Sequence, residues 1–243
     1  MKINKIATPP RGVLLQNPSG TSAFIPSGGK HETRLVEIGD FLQAFVEKTD
    51  AKFTPEHQQP ENKQGVDMLH SRMRGLLRDL NDKQRDLNKR NATFTAPAAL
   101  TDAPWESEWR EHLSSLPLAD RTAVVATGLS FAQSSALLRH SDLDRLGLDD
   151  RTAATVRENH RINAVVELLG LRANHASPST LDNPLPGTVD EAAAFAEGKA
   201  AITALDGEQE TLRNEAAALA GIVSIAAEVS GQDSRTLWTE IAA

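Results

Sequence analysis

Seven histidines are the first residues in this chain that could do chemistry: His31, His57, His70, His112, His140, His160 and His175. A helical zinc site places two imidazoles one turn apart, and no pair here has the i, i+4 spacing. The absence of cysteine removes thiolate nucleophiles, disulfides and Cys-ligated metal. His140 and His160 flank an acidic turn with Asp142, Asp144, Asp149 and Asp150. Metal or acid–base chemistry is one reading of that turn. The other is that carboxylates gather at helix starts, where the helix dipole favours negative charge. Neither G-x-x-x-x-G-K-[ST] nor G-x-G-x-x-G occurs, and Gly28-Gly29-Lys30 follows no segment read as a strand. Ser130 and Ser230 each have a glycine within two residues but lack the G-x-S-x-G frame of a nucleophile elbow. No metal and no cofactor is expected.

The elements that would have to position such residues read as helices. Over 243 residues, 40% hydrophobic and 24% charged, the chain has seven Phe, three Trp and no Tyr, a poor supply for a β-sandwich or barrel. Its net charge of −7 gives no electrostatic reason to bind nucleic acid. Leu35, Ile38, Phe41, Leu42, Phe45 and Val46 share one helical face, and the polar, proline-containing stretch 50–65 reads as a loop. A long helix is expected over 64–91. Val66, Leu69, Met73, Leu76, Leu80 and Leu87 give it a heptad seam, which Lys83 interrupts. Its basic residues are interleaved with acids and have no neighbouring aromatics for base stacking, as on a solvated coiled-coil face. The seam residues Leu69, Met73, Leu76, Leu80 and Leu87 are candidate protein-binding positions, and the helix is a candidate oligomerisation element.

A linker over 92–104 ends in Thr101-Asp102-Ala103-Pro104, an aspartate cap with proline in the first turn. Trp105 and Trp109 follow on one face of a short helix, as core anchors or, if exposed, as a partner surface. The block from Leu116 to Ala123 recurs from Leu146 to Ala153. A thirty-residue repeat would put helices at Ala123–His140 and Ala153–Gly170. After the proline-rich loop 174–187, Thr188-Val189-Asp190-Glu191 reads as a capping box. Asp206-Gly207 is expected to break the helix that follows into an acidic αα-hairpin, with a short terminal helix after Gln232.

The chain is thus expected to be all-α. It reads as an irregular helical bundle with a long heptad-patterned helix and a C-terminal αα-hairpin, preceded by a disordered N-terminal segment. The expected blocks are 1–31 (disordered), 32–92 (helical, coiled-coil), 93–175 (helical, with the repeat) and 176–243 (hairpin and terminal helix). No run reaches the roughly 18–20 apolar residues needed to span a bilayer. Val13-Leu14-Leu15 is too short for the core of a secretory signal peptide.

Gly75-Leu76-Leu77-Arg78 is similar to the G-x-L-R stretch around the catalytic arginine of bacterial GTPase-activating toxins. The resemblance implies an arginine finger at Arg78 that stabilises charge on a transferring phosphate. Those toxins also carry a Gln-Trp-Gly-Thr motif, which this chain lacks, and they hold the arginine on a bulge. Here Leu76 and Leu80 belong to the seam, so the spacing puts Arg78 on a solvated helix face.

The first thirty-one residues contain Ile3, Lys2, Lys5, Arg11 and Lys30, no acid before Glu32, and much Ser, Thr, Pro and Gly. In this the segment resembles the export signals of proteins secreted through type III systems of Gram-negative bacteria, particularly plant-pathogen effectors. The resemblance implies a secreted virulence effector that acts in the host cell by binding host protein, with a secretion chaperone on residues 23–49. A secreted component or regulator of the apparatus is the alternative, and catalysis through Arg78 the lesser one.

Overall fold

Apolar residues at three- and four-residue steps turn most of the chain into helix, while short runs between N-terminal turn residues become strands. The computed structural model describes residues 3–8, 11–139, 143, 146–176 and 188–243. In chain order these form β1 (Asn4–Thr8), β2 (Gly12–Gln16), β3 (Ser22–Pro26), α1 (Glu32–Lys52), α2 (Pro55–Thr95), α3 (Ala103–Ser115), α4 (Leu118–Ala126), α5 (Phe131–Leu138), α6 (Asp150–Leu168), α7 (Glu191–Ser230) and α8 (Ser234–Ala242). A 3-10 turn spans Leu171–His175. His140, Asp142 and Asp144, and residues 177–187 of the proline-rich loop, which figured in the expectations above, lie outside the described residues.

The all-α architecture, the long heptad helix and a C-terminal helical hairpin are all present. The hairpin turn lies elsewhere than expected. Asp206-Gly207 sits inside the unbroken α7. One interior glycine costs a helix only about 1 kcal/mol relative to alanine, and buried Leu205 and Leu212 hold both flanks. The turn falls at Gly231, whose φ of 67° suits a left-handed cap. There the Gln232 N–H donates to the Ala227 carbonyl at 2.8 Å and the Gly231 N–H to that of Glu228 at 3.2 Å, a Schellman pattern. The expected loop 50–65 is mostly helix as well. Pro55 opens α2, where a missing N–H costs nothing, and Pro60 removes one later bond.

The N-terminal segment is a three-stranded antiparallel sheet in the order β1-β2-β3, which corrects the expectation of disorder. The turn residues that forbid a helix are what close its hairpins. Between β2 and β3, the Asn17 N–H donates to the Thr21 carbonyl and the Gly20 N–H to the Asn17 carbonyl, each at 3.1 Å. Strands of this length gain stability by packing one face on something else, and Leu15, Ala23 and Ile25 are buried.

The chain forms two compact units, Met1–Leu87 with Gly207–Ala243 and Asn88–Asp206. Their boundaries fall inside α2 and α7 rather than at linkers. In the first unit Leu35, Ile38, Leu42 and Val46 of α1, the α2 seam, Leu212, Leu219, Ile222 and Ile225 of α7, and Leu237 and Ile241 of α8 are buried. Lys83, the seam's polar interruption, reaches Glu208 at 2.8 Å. In the second unit Leu113, Val125, Leu129, Leu137, Leu143, Leu146 and Val156 form one apolar cluster. Ile162, Val165, Val166, Leu171, Ala194 and Ile202 form another.

The thirty-residue match is not a structural repeat. Its first copy gives two short helices, because Gly128 at φ 97° ends α4 and Ser130 restarts the chain with a capping box to Gln133. Its second copy gives the single helix α6, capped by Asp149. The matched arginines also differ. Arg121 donates to the carbonyls of Leu113 at 3.1 Å, Ser114 at 2.8 Å, Leu116 at 2.9 Å and to that of Leu146, satisfying the end of α3. Arg151 is exposed.

Candidate interaction site

The sheet's two faces separate by strand periodicity. Leu15, Ala23 and Ile25 point inward, onto helices that glycine has cleared for them. A Cβ at Gly39 of α1 would lie 2.5 Å from the Leu15 Cδ1, and one at Gly221 of α7 would lie 2.7 Å from the Ala23 Cβ. Gly221, which interrupts an alanine-rich run, is thus a seat for β3. Outward, register aligns Ile6 with Leu14 and Leu14 with Phe24, so one apolar row crosses all three strands. Ile6 is 46% and Phe24 44% exposed. A neutral polar row, Asn4–Gln16–Ser22, lies beside it. Arg11 and Lys30 are exposed nearby in sequence, and no carboxylate occurs before Glu32.

Carboxylates on the helices hold this sheet. Glu228 of α7 accepts from the Asn17 Nδ2 at 2.6 Å and the Thr21 Oγ1 at 2.7 Å. Hydrogen bonds from Ser19 and Thr21, aided by Asn17, keep its carboxyl below the usual glutamate range. Glu215 of α7, 2% exposed, accepts the His31 N–H at 2.6 Å ahead of α1. It occupies the helix start as a built-in anion. Asp40 of α1 pairs with Lys5. Lys5 points to the inner side of the edge strand β1, and such an inward charge discourages another chain from extending the sheet.

The residues singled out from sequence are placed otherwise. Leu69, Met73, Leu76, Leu80 and Leu87 are 0–3% exposed, so their seam is filled by the chain's own first unit and does not remain open for a second copy or another protein. Their spacing is that of any buried helix face, which is why core and interface read alike. Arg78 is exposed and lies on an uninterrupted stretch of α2, without the bulge that a finger uses. Trp109 packs on the first apolar cluster of its unit with its indole N–H buried and unpaired, while Trp105 is 39% exposed. The structure therefore separates the two tryptophans into an anchor and a surface residue.

Among the described histidines, His160 has the most built environment. It is 1% exposed, its ring lies 5.1 Å from that of Phe131, and its Nε2 lies 3.2 Å from the Ala96 carbonyl. A carbonyl only accepts, so Nε2 carries the proton and Nδ1 accepts from the Ser134 hydroxyl at 3.0 Å. Burial pushes the imidazole pKa down, against the Ala96 bond. Ser134 is fully buried, so this pair holds α5 to α6 and presents no nucleophile. His175 pairs with Glu197 at 2.6 Å. Among the described residues, no three His, Asp or Glu side chains converge as metal ligands would.

A lowered histidine pKa has a definite sign in stability. The unfolded chain takes up a proton near the ordinary value of about 6.5, while the folded chain resists it. The second unit should therefore keep this contribution above that pH and lose it as the pH falls toward the folded value. Denaturant titrations at several pH values, read by Trp105 and Trp109 fluorescence in a Trp238→Phe background, should show a steeper loss in the parent than in His160→Gln. Equal slopes would refute this assignment.

Several placements carried no local sequence signal. Glu106 of α3 is buried against Arg139, with Nε–Oε2 at 3.1 Å and Nη2–Oε1 at 3.2 Å, and Arg110 lies 3.8 Å away. Glu215 did carry one, since it replaces an apolar residue in the stripe Leu212, Leu219, Ile222. No helix among the described residues is long and apolar enough to cross a membrane. No protein-family model, curated protein or solved structure matches the chain.

Proposed function

We propose that this chain is a secreted bacterial virulence effector, exported through a type III system, that works in the host cell by binding a protein. The observation that carries the binding reading is the outward row Ile6–Leu14–Phe24, an apolar stripe across an ordered sheet. The basic, carboxylate-free composition around it favours an acidic, amphipathic segment as the partner. The export reading rests on the same thirty-one residues, through their Ser, Thr, Pro and Gly content. Because Asn4–Thr8, Gly12–Gln16 and Ser22–Pro26 are strands, they must leave the helices before threading a narrow channel. A secretion chaperone on residues 23–49 would likewise need that stretch opened, since Ala23, Ile25, Leu35, Ile38, Leu42 and Val46 are buried.

Two experiments test the two halves of this reading. A reporter fused to residues 1–50 should be exported only where the secretion system functions; export without it, or none with it, defeats the delivery half. Affinity capture from host and bacterial extracts should enrich one host protein on the full-length chain and lose it on Ile6→Ser/Leu14→Ser/Phe24→Ser. Enrichment of secretion-apparatus parts would instead favour a regulator, and capture indifferent to the triple change would defeat the binding half.

A further inference from the structure

The attachment of the sheet differs in kind from the packing of the helices beneath it. The long helices α1, α2 and α7 each bury a long apolar face, whereas the segment from Ile3 to His31 buries few large side chains, chiefly Ile3, Leu15 and Ile25. Its described side-chain hydrogen bonds to the helices end on carboxylates. Glu228 takes Asn17 and Thr21, Glu215 takes the His31 N–H, Asp40 takes Lys5, and Glu32 takes the Gly28 N–H at 2.7 Å. Around Glu215 the titratable neighbours are Lys30, His31, Lys83 and Glu208, which line the same cavity of about 300 Å³. Charge-assisted bonds of this kind are roughly twice as strong as neutral ones, so the carboxylates add to the small apolar area in holding the sheet. The seats at Gly39 and Gly221 are notches in α1 and α7, while α1 also packs closely on α2, where a Cβ at Gly65 would collide with the Phe45 ring.

We propose that the N-terminal sheet is a clasped strap: it opens from α1 and α7 as one unit while the helices stay folded, and the carboxylates of Glu215, Glu228 and Asp40 set how often it does so. Opening converts the strands Asn4–Thr8, Gly12–Gln16 and Ser22–Pro26 from an ordered sheet into an extended leader and uncovers Leu15, Ala23 and Ile25 together with the helix surface beneath. This conformational device would supply the extended segment that export requires, but it does not depend on export and is read out separately from it.

Hydrogen exchange at neutral pH on the full-length chain tests it. Amides of β2 and β3 should exchange together, at least tenfold faster than those of α2 between Leu69 and Leu80. In Glu215→Gln/Glu228→Gln the sheet amides should speed up at least tenfold further, with α2 unchanged. Asp40→Asn, at a half-exposed position on α1, should speed them in the same direction without disturbing any core. Asp82→Asn, which alters an exposed α2 carboxylate paired only locally with Arg85, should leave them alone. Sheet amides that exchange only at the rate of the helices, or that respond equally to Asp82→Asn, would overturn the strap. So would sheet exchange unchanged by both Glu215→Gln/Glu228→Gln and Asp40→Asn.

Discussion

Replacing Glu106 by alanine is expected to destabilise the second unit by about 3 kcal/mol. The carboxylate is 6% exposed and grips Arg139 through two parallel bonds, a geometry that fixes both planes. Arg139 caps the end of α5, so the pair ties that end to the first turn of α3. Without Glu106, Arg139 keeps a bond to the Ala98 carbonyl and about a quarter of its solvent exposure, which places the loss at the lower end for a broken buried pair. Arg139→Ala should cost more, toward about 5 kcal/mol, because it strands the more deeply buried partner. Equilibrium urea unfolding read by Trp105 and Trp109 fluorescence measures both. A loss below about 1 kcal/mol for either, as at an exposed pair, would contradict this account of the second unit.

The second large effect belongs to the α2 seam. Leu76→Ala removes a side chain with no solvent exposure and should cost about 2–5 kcal/mol, as other core leucine truncations do. Arg78→Ala, two residues away on the exposed face, should stay within about 0.5 kcal/mol. The contrast separates a filled seam from an open one. If the seam were an interface between copies, Leu76→Ala would make stability and assembly depend on protein concentration and leave the isolated chain's fold largely intact. The same Arg78→Ala protein tests the arginine-finger resemblance, because a finger would lose several orders of magnitude in stimulated GTP hydrolysis. No such dependence is expected of a residue on an unbroken helix surface.

Legibility in the sequence followed the range of the physics involved. The face of α1, the seam of α2 and the Asp102 cap with Pro104 are set by neighbours within a turn or two, and they read correctly. The sheet does not, because strands of five residues between prolines and glycines look like unstructured chain until Gly39 and Gly221 are known to lie beneath them. Gly221 comes far later in sequence, and both glycines look like ordinary helix interruptions. Asp206-Gly207 misled for the converse reason: a strong local turn signal was outweighed by apolar burial on either side. For the binding site, the seam drew attention because heptads are conspicuous, whereas Ile6, Leu14 and Phe24 become a row only once register is fixed. Glu228 looked like one acid among many on an acidic helix, and only its partners distinguish it, whereas Glu215 stood out by its place in an apolar stripe.

The central claim is that strands Asn4–Thr8, Gly12–Gln16 and Ser22–Pro26 form an ordered sheet presenting Ile6, Leu14 and Phe24 to solvent. Nuclear Overhauser contacts in the free protein at neutral pH address it most directly. The account predicts cross-strand contacts between Ile6 and Leu14 and between Leu14 and Phe24, in the pairing register of the sheet. Random-coil shifts over residues 3–26, with no contact between those pairs, would contradict it.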